Sequence, residues 1–247
     1  MLKPAEWNAE FAKYNRKGEL RTAFLISLRR RFIYRPISKV ANSTVRGLLY
    51  EAEFRANGFL RDVARINSNF VHNPVNSPLV QPYQLPPGLI TRALFSDRFF
   101  RFAFVRNPVD RVLSCYLDRV QAPNSVPHKE AVRLAGKNAG EQITFDEFVD
   151  LISRQEIKDM NQHWRPQYHL MMCGTLKYSK IYRLENLNTA MKELFDQFYP
   201  KLTSKIDLQK MYSPRRTKAK EMAVSVTPET RKKIEKIYKD DFDFFGY

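Results

Sequence analysis

Residues 99–116 read FFRFAFVRNPVDRVLSCY. The run 99–105 is short and almost wholly apolar, the composition of a strand buried on both faces. It stops at Arg106-Asn107-Pro108. Proline suits the first helical position and asparagine the cap before it. Beyond them Val109, Val112, Leu113, Tyr116 and Val120 recur at helical spacing,. The stretch is a strand, a tight junction and a helix, with an arginine at the strand's end. An arginine there can fork two hydrogen bonds to a phosphate or sulfate. Ser114, eight residues on, can donate to the same anion. Arg106 can equally pair with Asp110, leaving Ser114 an inert surface hydroxyl.

Working outward, RFIYRPI (31–37) has strand character and ends at Pro36,. A helix is expected from Asn42 or Ser43, with Val45, Leu48, Leu49, Ala52 and Ala56 on its apolar face and Gly58 as its stop,. NFVH (69–72) reads as a second strand, and the proline-rich 74–88 as a surface loop. The polar 121–142 reads as a loop or irregular insertion. Thr144 and Glu147 form a capping-box pattern before DEFVDLIS. KIYRLENL (180–187) is a strand candidate followed by a helix over 188–198. Thr227-Pro228 opens the last helix,. Strands alternating with helices argue for an α/β fold, a P-loop-like three-layer arrangement with a central, mainly parallel sheet flanked by helices. One domain over 1–247 is expected, its core at 31–247 after a basic extension at 1–30, where AFLISL (23–28) reads as helix or loop.

The 247 residues carry 42 basic and 26 acidic side chains, a net +16. Such a field favours anionic partners without choosing among nucleic acid, membrane surface, phosphorylated cofactor and acidic glycan. Two cysteines, Cys115 and Cys173, form no disulfide framework and lack metal-ligand spacing,. No apolar stretch reaches the about 18 residues that would span a bilayer.

Ligands of parallel sheets collect where strand ends meet helix starts. PISKVANST (36–44) is such a junction. Its helix start offers unpaired N–H groups and a positive dipole end, Lys39 a full charge, and Ser43 and Thr44 hydroxyl donors. The glycines of a nucleotide-triphosphatase P-loop are missing. A solvated turn remains the alternative for this loop taken alone.

The pair of junctions, SKVANST and then FxFVRNPxxRxxSxY, resembles the carbohydrate sulfotransferase family. HWRPQ (163–167), YRLENL (182–187) and the ending TPETRKKIEKIYKDDFDFFGY resemble further landmarks in family order, so the likeness covers roughly 31–247. Ser38 stands where proline is usual. The resemblance implies a transfer of a sulfuryl group from 3′-phosphoadenosine 5′-phosphosulfate (PAPS) to a carbohydrate hydroxyl, with no metal. It implies that Lys39, Val40, Ala41, Asn42, Ser43 and Thr44 hold the 5′-phosphosulfate, with Lys39 offsetting charge on the departing oxygen. Arg106 and Ser114 then take the 3′-phosphate.

An acceptor hydroxyl must lose a proton, and His72 is the first candidate base, with a structural role as its alternative. His163 is the second; with Arg165 it is a candidate acceptor contact, while Trp164 reads as core. Arg215 and Arg216, in the basic SPRRTKAK (213–220), are candidate donor contacts, with a solvated face as the alternative,. Expected partners are a carbohydrate acceptor, which an acidic glycan would satisfy, with no specific nucleic acid and no membrane span. A bacterial cytoplasmic enzyme is expected if the chain is full-length, and a Golgi-lumen enzyme if it is part of an animal protein. A basic nucleic-acid-binding protein and a P-loop kinase-like phosphotransferase are the competing readings.

Overall fold

The computed structural model describes residues 6, 9, 11–13, 16, 18–56, 68–138, 140–203 and 226–247. Gly58 and the SPRRTKAK segment with Arg215 and Arg216 lie outside the described residues. In chain order the elements are β1 (Leu25–Ser27), β2 (Phe32–Arg35), α1 (Asn42–Ala56), α2 (Ser68–His72), α3 (Pro87–Phe95), β3 (Phe100–Val105), α4 (Pro108–Cys115), α5 (Val126–Leu134), α6 (Phe145–Ser153), α7 (Gln167–Met171), β4 (Lys180–Arg183), α8 (Leu187–Phe198), α9 (Pro228–Ile237) and α10 (Lys239–Phe245). Two compact units result. Of the described residues, one comprises 6, 9, 11, 18–56, 68–105 and 175–203, the other 12, 13, 16, 106–138, 140–174 and 226–247.

The first unit holds a four-stranded sheet of order β1-β2-β3-β4. β2, β3 and β4 are parallel, and β1 runs antiparallel at the edge. Mixed α/β architecture around a mostly parallel sheet is therefore as expected. The register sets Phe32 beside Phe100, Tyr34 beside Phe102 and Phe104 beside Tyr182. Side chains alternate along a strand, so across β2 and β3 one face of the sheet is aromatic at Phe32, Tyr34, Phe100, Phe102 and Phe104, and Tyr182 of β4 continues it,. Tyr34 stacks on Phe102 at 5.2 Å and Phe104 on Tyr182 at 5.3 Å, while Phe198 of α8 meets Phe32 at 5.1 Å. Such pairs add about 0.5–1.5 kcal/mol each beyond the area they bury.

Three sequence expectations are corrected. Residues 69–72 are helix α2, not strand. Val71 is buried while Asn69 and His72 are exposed, and a short apolar run fits either period,. β1 lies in the stretch read as helix or loop of an extension, and pairing with Phe32–Tyr34 and with Val80 draws it into the sheet. The polar stretch 121–142 contains α5, while α3 begins only at the end of the proline-rich 74–88. Pro87 sits at the start of α3, and Ser125 caps α5 by accepting from the His128 N–H.

The second unit is helical. Val109, Val112, Leu113, Tyr116 and Val120 are buried with Phe148, Ile152, Trp164, Ile234 and Tyr238. The stripe read from spacing is thus core, and Trp164 is core as expected. α4 passes directly into a π-helical turn, Tyr116–Val120. Thr144 and Glu147 exchange both bonds of the capping box, and Thr227 caps α9. Among the described residues no helix is long and apolar enough to cross a membrane.

Candidate active site

β2 leads through Pro36 and Ile37 into the turn before α1. Lys39 and Ala41 adopt left-handed backbone conformations, φ 70° and 54°. Non-glycine residues pay roughly 1 kcal/mol or more for this. Alternating conformations of this kind turn successive N–H groups toward one side, the geometry of anion-binding nests. Val40, between them, is fully buried and anchors the loop. The Ala41 carbonyl accepts from the Val45 N–H at 3.0 Å, so α1 is wound from its first turn. That turn contains no acidic residue, leaving the positive dipole end uncompensated,.

Side chains brace this start. Asn42 Oδ1 accepts from Arg46 Nε at 3.1 Å, and Arg46 Nη1 donates to the Val71 carbonyl at 3.2 Å, tying α1 to α2. His72, last residue of α2, then places Nε2 2.7 Å from Ser43 Oγ. The structure brings these two sequence-selected residues together. Farther along α1, Glu53 is buried and accepts from Ser27 Oγ at 2.9 Å and Tyr199 OH at 2.7 Å, with Arg30 Nε at 3.6 Å. Burial, reinforced by Glu53, pushes the Tyr199 hydroxyl well above its ordinary range. These contacts fix α1 against β1 and the end of α8.

In the second unit Asn107 Oδ1 accepts from the N–H groups of Val109 and Asp110, as a cap should. Arg106 Nη2 lies 3.9 Å from Asp110 Oδ2, the ion pair that the sequence left open. Ser114 is 3% exposed, so it is not the surface hydroxyl of the alternative reading. His163 Nδ1 lies 2.7 Å from Asn161 Oδ1. Arg165 has no exposed surface, and its guanidinium donates to the Met160 carbonyl. Buried this way, Arg165 serves the packing of the unit, and the acceptor contact expected of it stays an expectation.

Sequence reasoning missed Glu53, Arg46 and the pair Gln167 and Asp241. Gln167 lies inside the HWRPQ landmark, which was the one available signal. Among the described residues no group of three or more His, Cys, Asp or Glu is placed to hold a metal ion.

A family model described as "Sulfotransferase family" matches residues 22–247. Carbohydrate sulfotransferase 14 of Mus musculus is 30% identical over 190 residues, 72% of this chain and 48% of that protein. The Homo sapiens protein of the same name is 28% identical over the same shares, and that of Danio rerio 27% over 235 residues, 90% of this chain and 61% of its own. The chain thus spans about half to three-fifths of the length of these curated relatives. No solved structure matches at a significant level. These three relatives are animal proteins, which gives the bacterial cytoplasmic expectation no support. A family match that starts just before β1 and runs to the last residue leaves one assignment: the chain belongs to the sulfotransferase family.

Proposed function

We propose that this protein transfers a sulfuryl group from PAPS to a hydroxyl of a carbohydrate, in line and without a metal. The observation that carries this reading is the 2.7 Å hydrogen bond between Ser43 and His72. It sets the candidate base against a hydroxyl of the candidate phosphate loop. The donor supplies an activated sulfuryl group on a stable leaving phosphate.

The chain's own residues then bind, orient and balance charge. The N–H groups from Val40 to Thr44 and the Ser43 and Thr44 hydroxyls suit the 5′-phosphosulfate oxygens. Lys39 offsets the negative charge that grows on the departing oxygen, the kind of electrostatic contribution that dominates transfers of charged groups. Arg106 and Ser114 take the 3′-phosphate, the group separating this donor from ordinary adenosine nucleotides. His72 accepts the acceptor's proton. His163 remains a candidate contact for the sugar, and Arg215 and Arg216 for the donor. The net +16 favours an acidic glycan as acceptor,. The animal relatives favour the Golgi-lumen setting.

Calorimetry with adenosine 3′,5′-bisphosphate tests the reading. The wild type binds it, and Arg106→Ala weakens binding at least tenfold. Absence of binding by the wild type, alongside salt-sensitive binding of duplex DNA, refutes the enzyme and supports the nucleic-acid reading.

A further inference from the structure

We infer that Gln167 is a positioning residue for Arg106 and that Asp241 holds Gln167 in place; this rests on the reading of Arg106 as a 3′-phosphate ligand. Gln167 Oε1 accepts from the Arg106 N–H at 3.0 Å, and Gln167 Nε2 donates to the Arg106 carbonyl at 2.9 Å. One carboxamide therefore grips both main-chain groups of one residue, as a neighbouring strand would. Arg106 follows the last residue of β3, where ladder pairing has ended, so the amide replaces the missing strand.

Asp241 sets the amide's orientation. Its Oδ2 accepts from Gln167 Nε2 at 3.1 Å and from the Gln167 N–H at 2.9 Å, and its Oδ1 accepts from the Tyr168 N–H at 2.7 Å. Nε2 thus faces two acceptors, the Arg106 carbonyl and a carboxylate, while Oε1 faces an N–H. The flipped amide would aim its oxygen at both acceptors and its NH2 at a donor. Only one orientation satisfies the site, and only a carboxamide offers a donor and an acceptor at this spacing. Both side chains are fully buried, so water does not compete for these bonds.

The surrounding segment is held as firmly. Arg111 donates to the carbonyls of Arg165 at 2.9 Å and Gln162 at 3.2 Å, and Tyr238 OH donates to the Trp164 carbonyl at 2.6 Å. Asp110 Oδ2 lies 3.9 Å from Arg106 Nη2, and the main chain that the amide grips sets where the Arg106 side chain begins. A tilt of that backbone moves the far end of the side chain by more than a hydrogen bond tolerates. Gln167 is therefore expected to govern affinity for the 3′-phosphate and not for the rest of the nucleotide.

The test compares two ligands, adenosine 3′,5′-bisphosphate and adenosine 5′-monophosphate, on wild type, Arg106→Ala, Gln167→Met and the double variant. The wild type prefers the bisphosphate, and Arg106→Ala abolishes the preference. Gln167→Met should cut the preference about tenfold with monophosphate affinity within twofold, and should add nothing to Arg106→Ala. An unchanged preference in folded Gln167→Met, or equal losses for both ligands, overturns the inference. No preference in the wild type overturns the role of Arg106 itself, a separate failure. Should Gln167→Met not fold, hydrogen exchange on the wild type decides. The Arg106 amide should be protected to the level of the β3 amides, and rapid exchange contradicts the clamp.

Discussion

Ser43 Oγ and His72 Nε2 sit 2.7 Å apart although 29 residues separate them in the chain. The contact joins the start of α1 to the end of α2. On the proposed reading the two residues have separable roles, the hydroxyl of the candidate phosphate loop in binding and the imidazole beside it in proton transfer.

His72→Ala should therefore lower kcat roughly a hundredfold or more, the usual contribution of a general base. Affinity for adenosine 3′,5′-bisphosphate should stay within about threefold. Ser43→Ala should do the reverse, weakening the nucleotide with a smaller effect on kcat. Steady-state kinetics beside calorimetry separate the two, and unchanged turnover in His72→Ala removes it as the base.

Lys39 and Ala41 hold left-handed conformations for the sake of the loop. Lys39→Met keeps length and loses charge, and should cut kcat at least a hundredfold. Ala41→Gly relieves about 1 kcal/mol of backbone strain. The greater freedom of glycine in the unfolded chain offsets about half of that. A net gain of about 0.5 kcal/mol should appear as a Tm higher by roughly 1–2 °C in a chain of this size. A lower Tm would contradict the strain.

Glu53 gathers Ser27, Tyr199 and Arg30 around a buried carboxylate. Glu53→Ala strands two buried hydroxyls and a guanidinium, and should destabilise the protein by about 2–4 kcal/mol in denaturant unfolding. A loss under about 0.5 kcal/mol would show that the network adds nothing.

Glu147 closes the capping box of α6 and pairs with Lys137 at 2.7 Å. The Lys137 bond, then the Thr144 N–H, draws its carboxyl down to about 2 from the ordinary 4.5. The folded state thus favours the charged form. Its stabilising effect is complete above pH 4.5 and fades as pH falls toward about 2,. Glu147→Gln should melt below wild type at pH 7, and the two Tm curves should converge on acidification. A gap that persists at the acid end would contradict the charge argument.

Much of this architecture is legible in the sequence where a local signal exists. Asn107-Pro108, Thr144 with Glu147 and Thr227-Pro228 each mark a helix start by cap chemistry, and each cap is formed. The NFVH run misleads because four residues cannot distinguish period 2 from period 3.6. β1 is hidden because three residues gain strand character only from their partners. Ser125 is a cap signal for α5 that its polar neighbours obscure. As candidates, Lys39 and Ser43 could be read from one junction and Arg106 and Ser114 from the other. Gln167 and Asp241 could not, since 74 residues separate them and only the fold makes them partners.

Sulfuryl transfer itself is the most direct test. Purified protein is incubated with sulfur-35-labelled PAPS and a panel of neutral and acidic glycans, with Lys39→Met in parallel. The account predicts that label enters an acidic glycan, in an alkali-stable sulfate ester, and that Lys39→Met reduces incorporation at least a hundredfold. Wild-type protein that binds adenosine 3′,5′-bisphosphate yet labels no glycan, or Lys39→Met protein that labels as well as wild type, would contradict it.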